Sequence, residues 1–301
     1  MIDFKLEALV NPFNDLQSGS PDRIIKPTFE QDDKVNAALD FYLNEAISSY
    51  DGEKTCNDAK SCISQFKLVL TPSQINLALQ KILATEQFLK LPTWHDATAS
   101  LFLKKLVQDS YDKLGFDSFS FDSGDFALDT LFFELKAKKE KPMTINLNGN
   151  AGMLFANNSE YCRYYIRGSV GRQCGGDSFG SEFYIRNNVG ENCGHEAENS
   201  LFNIEGDAGK CIAMGSMDCQ FSVAGNTGHV CGMDAKGCIV NVAGEISKGE
   251  LASNAKNCVF VAGKMEYDSR RHPTDSVFVT LDADKALKKL HGKYGNEVIL
   301  V

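Results

Sequence analysis

The cysteines are the residues whose type and spacing could do chemistry. Cys174, Cys193 and Cys231 lie at multiples of nineteen residues from one another, and so do Cys162, Cys219 and Cys238. If each period is one coil of a stack, the thiols of each set form a column about 4.8 Å apart. That spacing falls inside the usual Cα separation of a disulfide, and stacked thiolates suit a soft metal. Against this, a free cysteine behaves as a small buried hydrophobe and is inert there. Ser181 and Ser200 replace cysteine in one column and Ile212 in the other, which suits space filling and not a ligand set. No metal or cofactor is therefore expected.

The remaining candidates are weaker. Cys56 and Cys62, in CNDAKSC, lack a second pair at zinc-ribbon distance. His195 precedes Glu196 but not in an H-E-x-x-H helix, and His229 shares an outward column with Arg172, Glu191 and Lys210. Asp177, Glu196 and Asp234 make an acidic corner that could draw a cation, although sparse carboxylates at a turn ordinarily solubilise. No acid, base and nucleophile converge, and no phosphate loop or G-x-G-x-x-G between strand and helix is present. The expectation is a chain without catalytic residues.

What positions these side chains is a repeat. Glycine, or asparagine in its place, recurs every nineteen residues at Gly149, Gly168, Asn187, Gly206, Gly225, Gly244 and Gly263. Two residues earlier stand Leu147, Ile166, Ile185, Ile204, Val223, Val242 and Val261; four earlier stand Ile145, Tyr164, Phe183, Phe202, Phe221, Val240 and Val259. A second glycine follows at Gly152, Gly171, Gly190, Gly209 and Gly228. Apolar residues alternate, which is strand periodicity, and glycine turns the chain. Nineteen residues are too few for a strand with a crossover helix, so each unit is a coil stacked on the last.

The fold class expected is α+β: a mainly helical domain over residues 1–141, a right-handed parallel β-helix of seven nineteen-residue coils within 142–270, and a small C-terminal cap over 271–301. In the first part Val35, Leu39, Tyr42, Ala46, Ile47 and Tyr50 fall on one helix face after FEQDD. Thr71 and Pro72 open a second helix, and a third runs from Thr93 to Leu114. In the tail, Val277 to Leu281 reads as a strand, Asp282 as a helix N-cap and NEVILV as a last strand.

The spacing G-x-x-G-x-x-x-G at a period of nineteen, clearest at Gly168-Gly171-Gly175 and Gly225-Gly228-Gly232, resembles the C-terminal β-helix of the glutamate synthase large subunit and the related β-helical subunit of formylmethanofuran dehydrogenase. The resemblance covers residues 144–264. It implies a domain without catalytic residues that holds neighbouring domains or subunits together. Ile2 follows Met1, so the N-terminal cysteine nucleophile of an amidotransferase is not supplied, and no iron–sulfur spacing occurs.

Composition bounds the rest. A net charge of −9 argues against nucleic acid as partner, and no apolar run is long enough to span a membrane. The start MIDFKLEALV lacks the pattern of a secretory signal, so a cytoplasmic location is expected. The outward residues Arg163, Tyr165, Arg167, Glu182, Tyr184 and Arg186 put two Tyr and two Arg in adjacent rows, the types enriched where proteins bind proteins. Leu201, Ala224, Ile239, Ala243, Phe260 and Ala262 read as an outward apolar stripe that a helix should cover. The function expected is a structural or assembly protein binding a protein partner or a second copy. The alternative is an accessory subunit of an oxidoreductase or amidotransferase.

Overall fold

The computed structural model describes residues 32–47, 56–85, 88 and 95–301. The sequence readings at Tyr50, Thr93 and at Phe29 to Gln31 of FEQDD lie outside the described residues. The described chain is a parallel β-solenoid of about nine turns preceded by a few helices.

Helix α1 spans Asp33–Phe41, and its first turn is held by Asp32, whose Oδ1 accepts from the N–H of Lys34 and Val35. It runs on as a π-helical turn, Tyr42–Ala46, and the buried face carries Val35, Ala38, Tyr42 and Ala46. Helix α2 is Cys56–Ile63. Helix α3, Pro72–Leu83, opens on a capping box: the Thr71 hydroxyl accepts from the Gln74 N–H while the Gln74 side chain accepts from the Thr71 N–H. Gln74 Nε2 also donates to Asp32 Oδ2 at 2.7 Å, tying the start of α3 to the start of α1. Helix α4, His95–Asp109, continues as a π-helical turn to Leu114, and Gly115 ends it in the left-handed conformation.

Ten strands then form one sheet in chain order, every pairing parallel: β1 Ser118–Leu128, β2 Met143–Ala151, β3 Cys162–Ile166, β4 Glu182–Ile185, β5 Leu201–Ile204, β6 Gln220–Val223, β7 Ile239–Gly249, β8 Val259–Tyr267, β9 Val277–Ala283 and β10 Glu297–Leu300. Two further lines of single parallel bridges run along the stack, one through Ala151, Val170, Val189, Ala208, Thr227 and Ile246, the other through Glu160, Phe179, Glu198, Met217, Lys236 and Lys256. Each coil therefore touches the next along three lines.

The stack extends beyond the seven coils of the repeat at both ends. Ser118 pairs with Thr144 across a 26-residue turn, and β9 and β10 add coils where the tail was expected only to cap the edge. The short helix α5, Lys285–Lys288, is capped by Asp284, whose Oδ1 accepts from Leu287 N–H at 2.7 Å; Asp282 lies inside β9. At the other end α3 closes the sheet: Asn76 Oδ1 accepts the Asp122 N–H and Gln80 Nε2 donates to the Asp122 carbonyl. Asn76 and Gln80 are one helical turn apart, so one face of α3 supplies both the acceptor and the donor.

The inner columns fill the solenoid. Tyr164, Phe183, Phe202 and Phe221 stack with ring centroids 5.0, 4.6 and 4.7 Å apart, and the last two pairs are within 3° of parallel. Phe260 and Phe278 resume the stack beyond Val240. Here the register differs from a strict period of nineteen. Ile239 pairs with Val259, a step of twenty, because one extra residue lies between Ile246 and Lys256. A one-residue slip exchanges the faces of a strand, so Phe260 and Ala262 point inward and are buried, while Val259 and Val261 are half-buried on the outer side. A bulge that sets Ala243 and Gly244 against Gly263 restores the period.

Candidate interaction face

Strands β3 and β4 set Arg163 beside Glu182 and Tyr165 beside Tyr184; Arg167 and Arg186 follow at the strand ends. Alternation puts all six on the outer face, because Tyr164, Ile166, Phe183 and Ile185 are buried within. The tyrosine rings lie 4.8 Å apart and 6° from parallel, locked by the pitch of the coils. Arg163 Nε donates to Glu182 Oε1 at 3.1 Å and the Tyr184 hydroxyl donates to Glu182 Oε2 at 3.0 Å, so one carboxylate holds a guanidinium and a phenol. Partial burial and the Glu182 carboxylate push the hydroxyls of both Tyr165 and Tyr184 above the usual tyrosine range.

Arg167 and Arg186 are exposed, and neither has an ion-pair partner among the described residues. Asn203 continues the tyrosine column on β5; it is 7% exposed, and its Oδ1 has no hydrogen-bond partner. Sequence reasoning left Asn203 out, although its register with Tyr184, nineteen residues earlier, points to it. The face is a rigid aromatic strip with two unneutralised cations on one side.

The apolar stripe is not continuous. Phe260 and Ala262 belong to the core, Gln220 separates Leu201 from Ile239 in the outward column, and Ala243 is exposed. Among the described residues the helices pack on β1 at one end and β8 at the other, so the expected covering helix is not found over β5 to β7.

The first cysteine column has a structural explanation. Ser181 and Ser200 donate to the carbonyls of Phe179 and Glu198, and Cys162, Cys219 and Cys238 make the same bond to Glu160, Met217 and Lys236. The side chain also accepts the N–H from the preceding coil: Cys162 N–H bonds Ser181 Oγ, Ser181 N–H bonds Ser200 Oγ, and Ser200 N–H bonds Cys219 Sγ. The position needs a small group that both donates and accepts, which serine and cysteine each supply. Cys258 joins this column through the twenty-residue step, and strict periodicity missed it.

Burial pushes the thiols of Cys162 and Cys231 up to about 12, and burial and the neighbouring Cys193 thiol raise that of Cys174 well above its ordinary value. Within the run of three, Cys219 and Cys258 are pushed up by their hydrogen bonds to Cys238 and by burial, and Cys238, bonded by both, is held below its ordinary value. Three thiols in a line do not converge, and among the described residues no group of three or more His, Cys, Asp or Glu is placed to hold a metal. All cysteine side chains described are free thiols.

The other sequence candidates remain apart. Cys62 is half-buried, and the Cys56 side chain lies outside the described residues. His195 Nε2 is 3.8 Å from Glu196 Oε1, and His229 is exposed. Asp177 and Glu196 line a shallow acidic hollow with Glu198, whereas Asp234 bonds Asn254 elsewhere on that corner.

A ladder that sequence reasoning did not single out runs beside the glycines. Asn150, Asn188, Asp207 and Asn226 each accept, through Oδ1, the backbone N–H of the equivalent residue one coil on, at 2.8 to 2.9 Å. Its signal was an Asn or Asp directly after the corner residue of each period, as in Gly149-Asn150, Asn187-Asn188, Gly206-Asp207 and Gly225-Asn226.

No protein-family model, curated protein or solved structure matches the chain.

Proposed function

We propose that the chain is an assembly protein without catalytic residues of its own, in which the solenoid holds the β3–β4 face rigid for a protein partner. The observation that carries this reading is the locked pair Tyr165 and Tyr184, flanked by Arg167 and Arg186 without partners. Tyrosine and arginine give large contact area and directional bonds, and a face already ordered loses little entropy on binding. The glycine spacing that resembles parts of glutamate synthase and formylmethanofuran dehydrogenase supports the same role, with a partner that carries a cofactor. The free thiols suit a reducing compartment such as the cytoplasm.

The test replaces Arg163, Tyr165, Arg167, Tyr184 and Arg186 together with alanine. Loss of a stoichiometric partner with a melting temperature lowered by no more than about 4 °C, the share of the lost ring pair and its neighbours, supports the reading. A partner retained by the variant removes this face from consideration.

A further inference from the structure

At the opposite end of the solenoid lies a cavity of about 520 Å³, widely open to solvent and in volume within the range of small-molecule sites. One wall is aromatic. His272 stacks between Tyr267 and Tyr294, with ring centroids 6.2 and 5.1 Å away, and a 2.9 Å hydrogen bond joins the Tyr267 hydroxyl to His272 Nδ1. The Tyr267 ring is buried, whereas Tyr294 is 57% exposed and leaves one ring face open.

The other wall is cationic. Lys285, Lys289 and Lys293 line it at intervals of four residues, and none of the three has an ion-pair partner among the described residues. In a chain with 40 Asp and Glu against 31 Lys and Arg, a lining with three lysines against two carboxylates reverses the balance of the composition. Two carboxylates also line it. Asp284 is engaged as the N-cap of α5, and Asp268 is exposed and free to accept from a ligand's hydroxyl or amino groups.

We propose that this cavity binds a nucleoside phosphate: the planar base lies against Tyr294, the sugar or base donors meet Asp268, and the phosphates lie among Lys285, Lys289 and Lys293. Lysine serves as a mobile point charge for phosphate, and aromatic faces accept any base. The site is independent of the β3–β4 face.

Calorimetric titration of the full chain with ATP and, separately, with tripolyphosphate tests the site. ATP should bind at micromolar to millimolar concentration and more tightly than tripolyphosphate. The triple variant Lys285→Ala, Lys289→Ala, Lys293→Ala should weaken ATP at least about tenfold, and Tyr294→Ala should reduce ATP affinity to that of tripolyphosphate. Lys288 is exposed on the same helix but outside the cavity, so Lys288→Ala should leave binding unchanged. No heat at millimolar ATP overturns the proposal. Equal binding of tripolyphosphate to the native chain overturns recognition of a base, and an equal loss in Lys288→Ala shows a diffuse basic surface and not a site.

Discussion

Phe202→Ala removes one of the two interior rings of the inner four-ring stack. The Phe202 ring is fully buried between Phe183 at 4.6 Å and Phe221 at 4.7 Å, both nearly parallel to it. It presses against the corners of the coils: a Cβ built on Gly175 would lie 2.7 Å from Phe202 Cε1, and one on Gly194 would lie 3.1 Å from Cε2. Backbone fixed by hydrogen bonds on both sides cannot collapse into the space. The loss should therefore reach the upper part of the range for buried Phe→Ala, about 5 kcal/mol. Phe202→Leu keeps most of the volume and loses two ring pairs of about 0.5–1.5 kcal/mol each, so its loss is about 2 kcal/mol. At roughly 2 °C per kcal/mol for a chain of this size, melting followed by circular dichroism should fall by about 10 °C for the alanine variant and about 4 °C for leucine. Equal losses in the two variants, or a fall of under about 3 °C for alanine, would refute the claim that stacked rings in a close-packed column hold the coils.

The register at β8 predicts that Phe260→Lys prevents folding while Val259→Lys is tolerated, since Phe260 is buried and Val259 is half-buried; comparing soluble yield and melting temperature decides it. Gly209→Ala should cost at least about 2 kcal/mol in urea unfolding, because its Cβ would meet the Glu191 nitrogen and the Gly190 carbonyl carbon at 2.7 Å; Gly292→Ala has open space around it and meets only the strain of a φ of +70°, so it should cost less, about 1 kcal/mol. The buried thiols predict an alkaline loss. Cys162 and Cys231 rise from near 9 to about 12 in the fold, so their stabilising effect is complete below about 9 and disappears as pH climbs through about 12. The urea midpoint should fall over that window, and fall less in a Cys162→Ser, Cys231→Ala double variant.

The solenoid was legible because three independent signals shared one period: glycine or asparagine at the corners, aliphatic residues two before them and aromatic or aliphatic residues four before them. Phe202 and Gly206 could be placed in their columns from the letters alone. Phe260 could not, because its side depends on one residue inserted between Ile246 and Lys256, and a face flips on a single slip. The end coils were hidden for a related reason. β1 joins β2 through a 26-residue turn, and the last steps run 18 and 20, so no constant period reaches them. The outward Tyr and Arg of β3 and β4 were visible through alternation, but the bonding of Glu182 to both Arg163 and Tyr184 needed side-chain geometry. The cavity near Tyr294 escaped altogether, since Tyr267, His272 and Lys289 come from three segments with no shared spacing.

The most direct test of the account is hydroxyl-radical footprinting of the tagged chain in its native complex, compared with the same chain after the partner is stripped by high salt. Oxidation of Tyr165 and Tyr184 should rise on stripping, while Tyr294, at the far end of the solenoid and 57% exposed, should be oxidised equally in both states. Tyr165 and Tyr184 oxidised alike in both states, with protection elsewhere on the solenoid, would contradict it.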